Sequence, residues 1–343
     1  MVEVGKIGDK TLVLDGRYIS IFKARELLWK KAYMGYLLPD GNLYMYRRRV
    51  RITELSGNTL TDYQIKIEIG TGDPIFAHAR SAGEDIRFCY YPEEEMLSYW
   101  IEKYDPDAEE AIIWVKVPSI PASSEIEIYM YYGNPTVASA SDGDATFEFF
   151  DDFEGTSIDT SKWERTDTGG STSVSNSIVS ISVSDGNREG WKAPAYQFRP
   201  GFIYESKKKF SATDNGIQVD GLNNFDGDST LHNFEATINQ FRTYNEGTGT
   251  ITDMADLADK RDVWHIIRIL WKSASEAKCE VLNEDYSLDT SATHTTNVPD
   301  ENNLVPFFRG NAYSGNSCTH YWDWIRVRKY ASPEPTVEVG AEE

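Results

Sequence analysis

Residues 63–69 read Tyr63-Gln-Ile-Lys-Ile-Glu-Ile69, a run in which apolar and polar side chains alternate. Because successive side chains of a β-strand point to opposite faces, this run predicts a strand with one buried face. Similar apolar runs follow, separated by turn-forming clusters such as Tyr104-Asp-Pro-Asp107. They are Asp85–Tyr90, Leu97–Glu102, Ala111–Val117 and Glu125–Tyr132. Strands at this spacing predict an antiparallel β-sandwich over residues 44–146.

A second block of strands begins at Phe147, and its strands are longer, with polar loops between them. Its predicted strands are Ser177–Val183, Phe202–Phe210, Phe234–Tyr244, Trp264–Trp271, Ala277–Leu282, Val305–Arg309 and Thr319–Tyr330. Long strands in this number suit a jelly roll of two stacked sheets over residues 147–340. We therefore predict an all-β chain of two tandem antiparallel sandwiches, ending in an acidic tail formed by Ser332–Pro335 and Gly340–Glu343.

The leading segment, residues 1–43, has a mixed pattern. Thr11–Phe22 predicts two short strands around the Asp15-Gly16 turn, and Lys23–Leu38 predicts a helix with several apolar side chains. We expect this segment to be an anchor that docks either on other copies or assembly subunits, or on the first sandwich.

The composition argues against several classes of partner. The chain has 343 residues and a formal net charge of −21. Because neutralising phosphates requires clustered Lys and Arg, we do not expect a partner made of nucleic acid. No run of about 18 apolar residues predicts a membrane span. The three cysteines, Cys89, Cys279 and Cys318, lack the spacing of a metal cluster.

The start of the chain, Met1–Lys10, is charged and lacks the apolar segment of a secretory signal. We therefore expect a virion component that is assembled without secretion, with an extracellular or cell-surface protein as the alternative.

Residues 44–146 resemble a domain family of unknown function that is common in archaeal and some bacterial surface proteins. The matching motifs are Tyr46-Arg47, Leu60–Tyr63, Gly83–Phe88, Tyr99–Glu102, Ile113–Pro118 and Tyr131–Asn134. Residues 147–340 resemble a concanavalin A-like lectin or laminarinase jelly roll, through Phe149–Gly155, Trp163 and Tyr321–Arg328. The two resemblances imply a surface protein in which a lectin-like domain follows a spacer sandwich.

The second resemblance implies a structural calcium ion (Ca²⁺). In laminarinase-type folds the Asp of the last-strand Asp-Trp motif binds calcium together with backbone carbonyls. The matching positions here are Asp323, the neighbourhood of Asp152, and Asn176. The alternative for Asp323 is an ion pair with Arg326 or a neighbouring lysine, because a carboxylate in a buried strand needs a partner.

Catalysis by a laminarinase-type enzyme requires two carboxylates on one strand, in the pattern Glu-x-Asp-x-x-Glu. The jelly-roll sequence has no such string, and Glu205, Asp220 and Glu235 are isolated acids. We therefore expect no enzyme. The alternative is a glycan-active hydrolase with an unrecognised carboxylate pair, roughly 5–9.5 Å apart, on the concave sheet.

A sugar site combines an aromatic platform with amide or carboxylate hydrogen-bonding groups, because a pyranose has an apolar face and a rim of hydroxyls. The aromatic candidates are Trp191, Tyr244 and Trp271, and the polar candidates are Asn223, Asn224 and Asp226. The alternative is that Trp271 belongs to the core and that the Asn/Asp-rich loop is a simple turn.

Together these patterns predict a non-enzymatic structural or adhesive protein whose C-terminal domain contacts a glycan, a cell-surface polymer or a partner. A purely architectural subunit without sugar binding is a further alternative.

Overall fold

The computed structural model describes residues 6–7, 10–11, 35–90, 95–210, 216–234, 239–254 and 261–343. Within these ranges the chain is almost entirely antiparallel β-sheet, which confirms the predicted fold class. No helix among them is long and apolar enough to cross a membrane. The described residues divide into two compact units.

The first unit begins with short strands and continues with longer ones. Its strands are β1 (Lys6–Ile7), β2 (Lys10–Thr11), β3 (Tyr36–Leu37), β4 (Leu43–Tyr44), β5 (Tyr46–Thr53), β6 (Leu60–Ile69), β7 (Arg87–Tyr90), β8 (Glu95–Met96), β9 (Tyr99–Asp105), β10 (Glu110–Ile120) and β11 (Glu125–Tyr132), with a short helix α1 (Ile75–His78). Residues 55–64, which include the start of β6, group with the second unit. Ile65, Ile67 and Ile69 are buried whereas Glu68 is exposed, so the alternation of residues 63–69 sets the buried face of β6.

The predicted elements of the leading segment lie mostly outside the described residues. The structure corrects the end of the helix predicted over Lys23–Leu38, because Tyr36–Leu37 is a strand that pairs with Leu43–Tyr44 around the turn at residues 39–42. Asp40 stabilises this turn, since its side chain accepts hydrogen bonds from the Asn42 amide at 2.9 Å and the Tyr44 hydroxyl at 2.7 Å.

The second unit contains a short helix, α2 (Gly143–Thr146), and two large sheets. Its strands are β12 (Phe149–Asp151), β13 (Glu164–Thr168), β14 (Gly170–Ser175), β15 (Ile178–Ser184), β16 (Arg188–Lys192), β17 (Phe202–Lys209), β18 (Gly216–Asn223), β19 (Ser229–Phe234), β20 (Asn239–Asn245), β21 (Thr248–Asp253), β22 (Trp264–Ser273), β23 (Glu276–Leu282), β24 (Leu288–His294), β25 (Val305–Ala312) and β26 (Ser317–Lys329). The eight-stranded sheet has the order β14-β15-β26-β17-β22-β23-β24, with β12 paired to β26, and the seven-stranded sheet has the order β13-β16-β25-β18-β19-β20-β21.

The last strand, β27 (Thr336–Glu342), belongs to the first unit, although it follows the jelly roll in the chain. It pairs antiparallel with β5, with Val337 opposite Ile52 and Val339 opposite Val50. The first unit therefore has a five-stranded sheet, β27-β5-β11-β7-β8, and a three-stranded sheet, β6-β10-β9. The predicted acidic tail is corrected to a sheet strand, because the alternating Val337 and Val339 continue the pairing of β5.

One hydrophobic core fills the space between the two sheets of the second unit. The eight-stranded sheet contributes Tyr204, Ile269 and Trp322, and the seven-stranded sheet contributes Phe241 and Phe308. Side chains from both sheets interdigitate in this layer, as expected for a jelly roll.

Candidate functional site

Side chains of the seven-stranded sheet alternate between this core and the opposite side. Leu222, Phe241 and Phe308 point into the core. Their neighbours along each strand therefore project from the other side, which we call the outer face. Strand register places Arg309 of β25 beside Val219 of β18 on this face.

Two phenylalanines form the apolar part of the outer face. Phe307 of β25 is buried, and Phe225 of the β18–β19 loop stands edge-on against it, with ring centroids 5.1 Å apart. Phe225 itself is 46% exposed. Asn223 fixes this ring, because its Oδ1 accepts a hydrogen bond from the Phe225 amide at 2.7 Å. The loop therefore holds an aromatic platform over the sheet.

Arg309 lies beside this platform, with its guanidinium carbon 5.4 Å from the Phe307 ring centroid. Gly190 on the neighbouring strand makes room for it, because a Cβ at that position would lie 3.1 Å from Cβ and Cγ of Arg309. Burial lowers the pKa of the Arg309 guanidinium; Asp167, 3.9 Å away, opposes this shift and Arg188 adds to it. The guanidinium stays charged, since arginine does not lose its proton in proteins.

Two polar atoms of this face are buried without a partner. Among the described residues, Nε of Arg309 and Oδ1 of Asn311 have no hydrogen-bond partner. Buried polar atoms in folded proteins almost always have one. These two unsatisfied groups therefore mark this part of the face as a candidate polar site.

Arg242 of β20 forms a second polar cluster on the outer face. Its Nε and Nη2 donate to Oε1 of Gln240 at 3.0 and 2.5 Å. The Asn233 amide, with its oxygen turned toward the guanidinium, accepts from Nε at 3.0 Å. Both partners are neutral, and Gln240 in turn donates from Nε2 to Oδ1 of Asp253 at 2.5 Å, so the carboxylate of Asp253 is linked to Arg242 through Gln240 and forms no ion pair with it.

Two of the predicted carbohydrate positions belong to this face. Asn223 supports Phe225, and Tyr244 lies two residues after Arg242 on the same side of β20, with its ring over Gly249. Neither Phe225 nor Phe307 was singled out by the sequence. Phe225 nevertheless sits in the Asn/Asp-rich loop that the sequence marked, between Asn224 and Asp226.

The polar side chains of that loop mainly form hydrogen bonds that stabilise the loop itself. Oδ1 of Asn224 accepts from the amides of Asp226 and Asp228 at 2.8 and 3.0 Å, and Asp228 accepts from the Glu246 amide at 2.7 Å. The Asp226 side chain is exposed at the tip of the loop. This arrangement matches the turn alternative, because Asn and Asp side chains bond to backbone two residues ahead.

The two tryptophans predicted for sugar binding point elsewhere, and the structure corrects both. Trp271 is 0% exposed in the core, where its Nε1 donates to the Pro299 carbonyl at 3.0 Å. Trp191 pairs with Phe308 and so lies on the core side of β16, with Nε1 donating to Thr172 at 2.9 Å. Neither ring lies on the outer face.

The isolated acids that the sequence considered for catalysis are engaged inside the unit. Asp220 is fully buried, with Oδ1 2.5 Å from Nζ of Lys208, and it also accepts from the hydroxyl groups of Ser206 and Tyr204. Glu205 is also fully buried. It accepts from Nε of Arg268, Arg326 and Arg328 at 2.6, 2.7 and 3.1 Å. Glu235 lies outside the described residues.

The predicted calcium positions converge on one edge of β26. The ladder between β12 and β26 ends where Asp151 pairs with Ile325, and the ladder between β15 and β26 begins where Val179 pairs with Trp322. Asp323 therefore lies between the two ladders, which are on the same edge of β26. Asp152 directly follows β12, and Asn176 lies in the turn before β15 with a left-handed φ of 52°. Burial and the nearby Glu154 and Asp151 raise the pKa of Asp152 to about 6.

The carboxylate of Asp323, however, reaches the other neighbour of β26. A shift in register between Lys207 and Lys208 on β17 leaves Asp323 as the extra residue of a β-bulge. Its Oδ2 lies 2.9 Å from Nζ of Lys207, an ion pair of the kind that the sequence kept as the alternative. Among the described residues no group of three or more His, Cys, Asp or Glu is arranged to hold a metal. Calcium binding by Asp323 together with nearby backbone carbonyls stays a prediction.

Comparison with known proteins identifies part of the chain. Residues 82–166 match DUF2341, a domain of unknown function. The predicted resemblance to a surface-protein domain of unknown function is thereby confirmed, and the DUF2341 match extends into the start of the jelly roll. No curated protein matches the chain.

Several solved glucanase structures superpose on about half of the chain. A lichenase from a mouse hindgut metagenome is 17% identical over 53% of this chain and 99% of its own, with a TM-score of 0.42. A Bacillus licheniformis β-glucanase is 17% identical over 53% of this chain and 98% of its own, with a TM-score of 0.40. The catalytic domain of a Thermotoga petrophila laminarinase is 13% identical over 53% of this chain and 97% of its own, with a TM-score of 0.41. The assignment of the second unit as a jelly roll rests on its own strand order, described above.

Proposed function

We propose that the second unit is a non-catalytic glycan-binding domain, and that its site is the outer face of the seven-stranded sheet. One observation carries the proposal. The exposed ring of Phe225, which packs on Phe307 and has Nζ of Lys192 5.4 Å from its centroid, shares the outer face with Arg309 and Asn311, whose buried polar atoms have no partner within the described residues. A sugar ring offers an apolar face to the aromatic group and hydroxyls to the polar atoms.

The chemistry of the isolated acids supports binding rather than catalysis. A glycosidase needs two carboxyl groups that reach the substrate. Glu205 and Asp220 are instead enclosed by cationic partners inside the unit. The protein then acts as a structural or adhesive component that holds a glycan. Its location at a cell surface or in a virion, and assembly through residues 1–43, stay predictions of the sequence.

The experiment is a glycan-array screen of the full chain, run with calcium and with a chelator. Phe225→Ala removes the platform and should weaken binding by about tenfold or more, the effect of losing a central aromatic contact. Leu288→Ala is the control, because Leu288 is 56% exposed on the eight-stranded sheet.

Binding that is lost in Phe225→Ala and kept in Leu288→Ala would support the proposal. A silent array from folded protein, or equal binding by Phe225→Ala, would contradict it. Release of reducing ends from the bound glycan would favour the hydrolase alternative. Glycan binding that is lost with the chelator would support the predicted calcium site.

A further inference from the structure

We propose that the ligand of the outer face is an acidic oligosaccharide, bearing carboxylate or sulfate groups; this rests on the glycan-binding function proposed above. The inference comes from charge. The outer face carries four cationic side chains, Arg188, Lys192, Arg242 and Arg309, and three carboxylates, Glu164, Asp167 and Asp253, on a protein whose formal net charge is −21. A small excess of positive charge on one face of so acidic a chain favours a negative ligand there.

The acids on this face leave part of that charge uncompensated. Lys192 pairs with Glu164 at 3.3 Å, and Arg309 has Asp167 at 3.9 Å, which is beyond hydrogen-bond distance. Within the part of the chain that the structure describes, no carboxylate pairs with Arg242 or Arg188. A half-buried guanidinium without an acid partner is unusual, since buried charges in proteins are normally paired.

The neutral partners of Arg242 fix the orientation of its guanidinium, which leaves its charge available to an anion. Gln240 and Asn233 hold the guanidinium through their amide oxygens and add no negative charge. A planar guanidinium fixed in this way presents its remaining N–H groups to carboxylate or sulfate oxygens.

Arg309 offers a second anchor of the same kind. Its Nε is buried and has no hydrogen-bond partner among the described residues, and Arg188 lies close enough to disfavour its charged form. An anionic ligand group would pair with the exposed part of the Arg309 side chain, which is 23% exposed, and offset the repulsion between the two arginines.

The spacing of the anchors sets the size of the ligand. Arg309 on β25 and Arg242 on β20 are separated by β18 and β19, which is three strand spacings. At about 4.8 Å for each spacing, the two strands lie about 14 Å apart. Contact with both arginines therefore requires an oligosaccharide with more than one acidic group.

The net negative charge of the whole chain makes this site selective. At long range the protein repels polyanions, so attraction acts only where the ligand fits the face. A polyanion without sugar rings lacks the contact with Phe225 and should bind weakly.

The test compares polymers that share a backbone and differ in charge. Titration calorimetry on the full chain would use polygalacturonate with its methyl ester, and dextran sulfate with dextran, which separates carboxylate from sulfate. Polyglutamate is the sugar-free polyanion. We expect at least one of the two charged polysaccharides to bind about tenfold or more tightly than its neutral form, and polyglutamate to bind no better than the neutral forms.

Variants then assign the binding to the two arginines. Arg309→Gln and Arg242→Gln should each weaken binding of the acidic polymer by about tenfold, and Arg309→Lys should restore part of it. Lys278→Gln is the control, because it removes the same charge from β23 of the eight-stranded sheet. Circular dichroism verifies that each variant is folded.

The outcomes separate this inference from the function on which it rests. Equal or tighter binding of the neutral polymers overturns the acidic ligand and leaves glycan binding in place. Equal binding of polyglutamate, or unchanged binding by both Arg→Gln variants, also overturns it. If neither these polymers nor any glycan of the array binds, the glycan-binding function fails as well.

Discussion

Glu205 shows how single residues stabilise the second unit. Its carboxylate is fully buried among three guanidiniums, and Arg328 also pairs with Glu334 at 2.7 Å. Burial alone would raise the pKa of Glu205, but Arg326, Arg328 and Arg268 hold that pKa well below its ordinary value. The carboxylate is therefore the common partner of cations from two strands, β22 and β26.

Glu205→Gln should destabilise the protein strongly. The substitution keeps the shape of the side chain but leaves three guanidiniums without their shared negative charge. Breaking a buried ion pair from one side costs about 3–5 kcal/mol in the free energy of unfolding. Chemical denaturation measures the change, with Glu334→Gln as the control because that side chain is 46% exposed. A loss no larger than that of the control would contradict this role.

Among the secondary-structure elements, β27 completes the five-stranded sheet of the first unit, although it is far from the other strands of that sheet in the sequence. Beyond its ladder with β5, the Arg48 Nε donates to the Gly340 carbonyl at 2.7 Å and the Tyr132 hydroxyl donates to Glu342 at 2.6 Å. Without β27, β5 would become the edge of the sheet and expose unpaired backbone groups.

Truncation after Pro335 should therefore destabilise the first unit and promote association. We expect the melting temperature to fall by about 5 °C, on the order of 2 kcal/mol, and larger species to appear in size-exclusion chromatography. A synthetic peptide of residues 336–343 should restore both, and a scrambled peptide should not. An unchanged melting curve and elution volume would show that the β27 pairing contributes little.

At the scale of the whole molecule, buried histidines link stability to pH. Burial lowers the pKa of His320 to about 4, and burial together with Lys208 lowers that of His232 well below its ordinary value. In the unfolded chain both would titrate near their ordinary pKa of about 6.5. The unfolded state therefore binds more protons below this pH, and stability is full above it and falls as the pH drops toward 4.

The free energy of unfolding should decrease from pH 7 to pH 4.5, by about 1 kcal/mol per pH unit for each such histidine. His320→Leu removes one of these groups and should make the slope shallower. Leu288→Ala is the control, because Leu288 is exposed and carries no titratable group, and it should leave the slope as it is. Denaturant titrations across this pH range measure the slopes, and equal slopes for wild type and His320→Leu would rule out this origin.

Local pattern was sufficient for much of the fold. The alternation of residues 63–69 predicted β6 and its buried face, and Trp264–Trp271 predicted most of β22, because period-2 polarity follows directly from strand geometry. The site was harder to predict. Tyr244 and Asn223, which were predicted from residue type, lie on the outer face, whereas Trp191 and Trp271 were predicted in the same way and point to the core.

Local sequence patterns were enough to predict that this chain is all-β, that it has two blocks of strands, and that an acidic protein carries an Asn/Asp-rich loop in the second block. Each of these is a property of neighbouring residues. By contrast, the pairing of β27 with β5, the packing of Phe225 on Phe307, and the common face of Arg242 and Arg309 became visible only in the folded chain. Strand pairing joins residues distant in the chain, and the stacking of two sheets selects which side of each strand becomes core, so neither outcome is written in local pattern.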